Sequence, residues 1–120
     1  MDIAHIHDFT AAMTRKDLDA MLSHMAENIV LRTPLLPEPV KGKTAIREVV
    51  SGLLRVVESF NFREIMQGPE HVSSFFTVRA GGHELDGMDY WRLDDTGLIQ
   101  EMTVLWRPLP AIAAVASLLS

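Results

Sequence analysis

The sequence predicts an α+β domain in which helices pack on one face of a mostly antiparallel sheet. Three observations lead there. Apolar residues recur at helical spacing through most of the first half of the chain, and at a period of two from Phe60 onward. Two turn signals, Gly81-Gly82 and Asp94-Asp95-Thr96-Gly97, separate long alternating runs. Finally, 120 residues with 48% hydrophobic content and no repeat or linker suit one domain, residues 1–120, with a real core.

Each element follows from local pattern. Ile6, Phe9, Ala12 and Met13 mark a first helix, and Asp17 is placed to cap a second one carrying Leu18, Met21, Leu22, His24 and Met25. Asn28–Pro34 reads as a short strand stopped by proline. Pro34, Pro37 and Pro39 then make an extended loop. Thr44 is a plausible N-cap for a third helix whose apolar stripe is Ile46, Val49, Val50, Leu53, Leu54 and Val57. Phe60–Met66, Val72–Ala80, His83–Leu93 and Leu98–Arg107 alternate as strands, and Pro108 and Pro110 lead into an apolar terminal helix. That helix is shorter than the roughly 20 residues a membrane span needs, and reads as a core cap or an interface.

Two hairpin registers follow. Pairing Ala80 with His83 sets Phe76 opposite Gly87 and Ser74 opposite Asp89. Pairing Leu93 with Leu98 sets Trp91 opposite Gln100 and Asp89 opposite Met102. Both put Asp89 on one face with Phe76, Val78, Trp91, Met102, Val104 and Trp106, and leave Arg79 facing Glu84 on the other. A bulge at Gly87 would break this register.

Composition narrows the function classes. Net charge is −5, from 11 basic and 16 acidic residues, and the basic residues are too scattered for a nucleic-acid surface. There is no Cys, so disulfides, thiolate nucleophiles and Cys–metal sites are excluded; a reducing cytoplasm is the expected setting. The N-terminus has no cationic start or long apolar run of a signal peptide, and no membrane association is expected. His5 and His7 lie two apart on a helix and point away from each other. His83-Glu84-Leu85-Asp86 lacks a second His. No metal or cofactor is therefore expected.

Asp89 is the chief candidate. A carboxylate aimed at an apolar face is costly unless it is paired, hydrogen-bonded or neutralised, and an apolar surround raises its pKa. It is read either as a proton donor or hydrogen-bond anchor in a pocket, or as a structural acid bonded to a neighbour such as Ser74. Trp91, Met102, Val104 and Trp106, with Phe76 on the same face, either line a ligand cavity or fill the core. His24 is either an acid or base reaching that pocket or a partly exposed helix residue. On the outer face of the last strand, Ile99, Glu101, Thr103, Leu105 and Arg107 mix apolar and charged residues, which fits a sheet-to-sheet contact.

Three stretches resemble the NTF2-like superfamily: Lys16–Met21 with Ala26-Glu27-Asn28; Thr33-Pro34 through Val40–Glu48; and Asp89–Leu93 through Thr96–Ile99. The resemblance spans nearly the whole chain. It implies a curved sheet wrapped around a helix-lined conical pocket, and a homodimer. The superfamily includes ketosteroid isomerases, SnoaL-like polyketide cyclases, scytalone dehydratase and limonene epoxide hydrolase. In ketosteroid isomerases a Tyr and a protonated Asp hold the oxyanion while a second Asp moves the proton. By this resemblance Asp89 matches the protonated Asp, whereas Phe9 stands at the Tyr position and Thr33 at the base. Phe9 and Thr33 are thus implied pocket residues without that chemistry, although Thr33 could hold a carbonyl or a water. Val104 stands where limonene epoxide hydrolase and SnoaL-type cyclases place a working Asp, and His71 and His83 match the two histidines of scytalone dehydratase poorly.

The expected function is a SnoaL-like or ketosteroid-isomerase-like protein, cofactor-independent, acting on or binding a small hydrophobic carbonyl or polycyclic molecule. Its alternatives are a non-catalytic ligand-binding homodimer and an interaction module with a collapsed cavity.

Overall fold

In the computed structural model, which describes residues 1–120, the helical period of the N-terminal segment becomes α1 (Ala4–Arg15) and α2 (Leu18–Ser23). Helix α1 buries Ile6, Phe9, Ala12 and Met13 along one stripe. It ends at Lys16, whose left-handed φ of 58° returns its N–H to the Ala12 and Met13 carbonyls. Asp17 caps α2 by accepting a hydrogen bond from the Ala20 N–H at 3.1 Å. The chain then turns at His24, so β1 (Met25–Arg32) starts earlier than the apolar spacing suggests, and Met25 belongs to the strand rather than to the helix.

A two-residue strand, β2 (Val40–Lys41), interrupts the expected loop and pairs antiparallel with β1. It is too short to carry a period. Helix α3 (Lys43–Val56) starts after Gly42, whose φ of 85° suits glycine. Thr44 is therefore inside the helix and not its cap. Val57, counted above in the helical stripe, is the first residue of β3 (Val57–Gln67), which follows α3 without a loop. Strands β4 (Val72–Ala80), β5 (His83–Leu93) and β6 (Ile99–Arg107) complete a six-stranded sheet in the order β2-β1-β6-β5-β4-β3. All its pairs are antiparallel except β1 with β6.

The β4–β5 register is the predicted one, from Ala80 opposite His83 to Ser74 opposite Asp89. The β5–β6 register differs: Asp89 faces Val104 and Trp91 faces Met102, because Leu93 pairs with Ile99 rather than Leu98 and an irregularity beyond it leaves Gln100 unpaired. The slip is even, so Met102, Val104 and Trp106 keep the expected face. The extra residue turns Ile99 inward, where it is fully buried, so Ile99 is not on the outer face.

The four helices lie on the concave face of this curved, unclosed sheet, the architecture the sequence predicts. Helix α4 (Leu109–Leu119) packs on β5, β6 and α3. It buries Ala111 and Val115 and leaves Leu109 and Leu118 exposed. No helix is long and apolar enough to cross a membrane. On the convex face Arg79 meets Glu84 at 3.6 Å and Glu58 at 3.9 Å. These groups are solvent-exposed and contribute little stability.

Candidate functional site

Between the concave sheet face and the helices lies a cavity of about 450 Å³, within the range of small-molecule sites. Twenty of its 26 lining residues are hydrophobic, so any occupant has a mainly apolar body. Helix α1 contributes Phe9 and Met13, one turn apart, and β1 contributes Ile29 and Leu31 from its inward face. Helix α3 supplies the stripe Ile46, Val49, Val50 and Leu53.

Asp89 is the buried acid in this wall. It is 1% exposed, and its pairing with Ser74 on one side and Val104 on the other fixes its side chain on the concave face. Ser74 is fully buried, and its hydroxyl donates to Asp89 Oδ2 at 3.5 Å, a long and therefore weak bond. Asp89 Oδ1 has no hydrogen-bond partner in the protein. Burial pushes the Asp89 pKa from 3.8 up to about 8, with the Ser74 hydrogen bond pulling the other way by less. Near pH 7 the group is thus mainly a neutral carboxylic acid, able to donate a hydrogen bond.

Phe9, Thr33, Phe76, Asp89, Met102, Val104 and Trp106 all line the one cavity. Trp91 and His24 do not. Trp91 is fully buried and packs edge-on against Phe9, ring centroids 6.1 Å apart, so Phe9 stands at the wall and Trp91 is ordinary core. His24 is the residue after α2, and its Nδ1 lies 2.9 Å from His5 Nδ1, one ring donating to the other. Burial, and then the neighbouring His5, lower its pKa, against a smaller opposing pull from Asp8. Thr33 follows β1, and its hydroxyl accepts a hydrogen bond from the Leu35 N–H at 3.3 Å. It holds a turn and offers no carboxylate.

Several lining residues carried no functional signal in the sequence. Glu48 and Arg55 on α3 are charged, exposed members of the wall, seven residues apart and so on one side of the helix. Met21 and Met25 looked like core packing, and Ala116 and Leu119 of α4 like a cap. Gly87 is also needed here: a Cβ on it would lie 2.3 Å from the Phe76 ring, so the bare backbone lets Phe76 lie across β5.

Comparison with known proteins agrees with this architecture. No curated protein sequence matches the chain significantly. An uncharacterised bacterial protein with a cystatin-like fold from Silicibacter pomeroyi superposes with a TM-score of 0.90 at 21% identity, over 98% of this chain and 83% of that one. A steroid Δ-isomerase from Pseudomonas aeruginosa gives 0.86 at 25% identity, over 97% and 86%. A candidate SnoaL-like polyketide cyclase from Shewanella denitrificans gives 0.71 at 14%, over 86% and 88%, a likeness of fold alone. The SnoaL-like domain model matches residues 6–102, most of the sequence. The chain therefore belongs to the SnoaL-like domain family of the NTF2-like superfamily.

Proposed function

We propose that the protein binds and acts on a small apolar molecule carrying a carbonyl group, without a cofactor, with neutral Asp89 as the acid or oxyanion anchor. The observation that carries this reading is a buried carboxylic acid with one unpartnered oxygen at the wall of an apolar cavity. Such an acid is costly to fold around, and it becomes useful when a ligand oxygen accepts its proton in a hydrogen bond. The likeness to a steroid Δ-isomerase supports a carbonyl-bearing polycyclic ligand. The open volume favours this reading over an interaction module with a collapsed cavity.

In the catalytic version, a proton leaves the carbon next to the carbonyl. The electron pair moves onto the carbonyl oxygen, where Asp89 holds the developing charge. Phe9 supplies no second hydroxyl and Thr33 no base, so a water molecule in the cavity has to accept the proton. That gap supports a second reading, a binding protein that holds the same ligand without turnover.

The test is exchange of the methyl protons of 2-acetylnaphthalene in D₂O, followed by NMR. Accelerated exchange that falls about 10²–10³-fold in Asp89→Leu supports the enzyme, since that is the usual effect of losing one oxyanion donor. Saturable binding without exchange supports the binding protein. Neither binding nor exchange refutes both.

We also propose a homodimer through the convex sheet face. Phe75, Met88 and Leu105 stand directly opposite one another across β4, β5 and β6, all exposed, with Leu105 at 64%. A contiguous apolar row of this kind is what a second copy would cover.

A further inference from the structure

We propose that the Trp106 indole N–H and the Asp89 carboxyl form a two-point clamp on a single acceptor oxygen of the ligand, which selects ketones and their enolates over hydrocarbons and amines. This deepens the reading above and rests on it.

Trp106 Nε1 and Asp89 Oδ1 are two of only three buried side-chain polar atoms without a partner in the whole protein. Both residues line the same cavity. The third atom, Trp91 Nε1, belongs to a residue behind Phe9 and off the cavity wall. A buried indole N–H ordinarily finds an acceptor, so an orphan beside a cavity marks where a ligand acceptor belongs.

The register puts the two residues on the same face of neighbouring strands. Asp89 faces Val104 and Gly87 faces Trp106, so Asp89 and Trp106 are diagonal neighbours on one face of adjacent strands. Diagonal neighbours lie roughly 7–8 Å apart, their Cβ atoms somewhat closer, within reach of an aromatic side chain. Gly87, opposite Trp106, has no side chain to compete, and the Phe76 ring lies across it as an apolar floor.

Donor inventory then sets the ligand class. The indole N–H only donates, and a neutral carboxyl can donate as well. Two convergent donors match a carbonyl or enolate oxygen with its two lone pairs. A neutral amine nitrogen has a single lone pair and can engage only one of the two donors. The clamp also restores the count of two donors that the absence of a hydroxyl at Phe9 would otherwise reduce to one.

The test uses 2-acetylnaphthalene and its oxygen-free analogue 2-isopropylnaphthalene. Affinities are measured by calorimetry for wild type, Asp89→Leu and Trp106→Phe, and the carbonyl stretch of bound ¹³C-labelled ketone is read by infrared spectroscopy. The clamp predicts that Trp106→Phe loses about three- to tenfold in ketone affinity and keeps its hydrocarbon affinity. It also predicts that the bound carbonyl stretch returns part of the way toward its value in apolar solvent. Asp89→Leu, which has no donor, should likewise weaken the ketone selectively. If Asp89→Leu does so but Trp106→Phe leaves both the ketone preference and the stretch at wild-type values, the clamp is overturned and Asp89 remains a lone anchor. If wild type itself shows no preference for the ketone, both the clamp and the function proposed above fall.

Discussion

Replacing Asp89 with Asn removes a titration that the fold displaces by about four pH units. The native pKa is about 8 against 3.8 for the free group. At roughly 1.4 kcal/mol per unit, the whole linkage is on the order of 6 kcal/mol, comparable to the net stability of many domains. The native state holds its proton more tightly than the unfolded chain does. The associated stability is therefore fully present below pH 3.8 and is lost as pH rises through about 8. Asn keeps the shape and a donor but does not titrate. In urea unfolding at a series of pH values, subtracting the Asp89→Asn curve from wild type cancels every other titrating group. That difference should fall by about 1.4 kcal/mol per unit, or about 4 kcal/mol in favour of the variant between pH 5 and pH 8. Parallel curves would refute the reasoning, because they would mean that Asp89 ionises in the native state as it does in water.

Other outcomes follow from single contacts. Ser74→Ala removes the hydrogen bond that pulls the Asp89 pKa down, so the carboxyl ¹³C resonance of Asp89 should titrate at higher pH than in wild type. Gly87→Ala drives a Cβ into the Phe76 ring and should cost about 1–3 kcal/mol in chemical denaturation. Neutral His24 stabilises the fold fully above pH 6.5 and less as pH falls through its lowered native pKa. His24→Gln should therefore remove part of the loss of stability on acidification, measured by melting temperature from pH 7 to pH 5. Leu105→Glu places a charge in the exposed apolar row of the convex face and should shift sedimentation toward the monomer, with the fold unchanged by circular dichroism.

The sequence made the β4–β5 hairpin legible because Gly81-Gly82 leaves one register for a two-residue loop. The Asp94–Gly97 turn is longer and admits several registers, so the pairing of β5 with β6 came out two residues away. The side-chain face survived, since only an odd slip exchanges faces. That parity is why Asp89, Met102, Val104 and Trp106 were found together. Depth along a face is a different matter. Trp91 alternates in phase with Asp89, but whether it meets a cavity depends on which helix residue covers it, and strand pattern carries no record that Phe9 does. Boundaries were lost where apolar residues serve both periods: Met25 and Val57 extend a helical stripe in the sequence and open a strand in the fold. Glu48 and Arg55 were unreadable as lining residues because nothing local shows that the polar edge of α3 borders the cavity.

A ¹³C NMR titration of the Asp89 side-chain carboxyl, with and without 2-acetylnaphthalene, tests the account most directly. It should place the inflection near pH 8 in the free protein and move it higher when the ketone occupies the cavity, because the ligand accepts a hydrogen bond from the neutral acid. An inflection near pH 4 that the ketone leaves unmoved would contradict it.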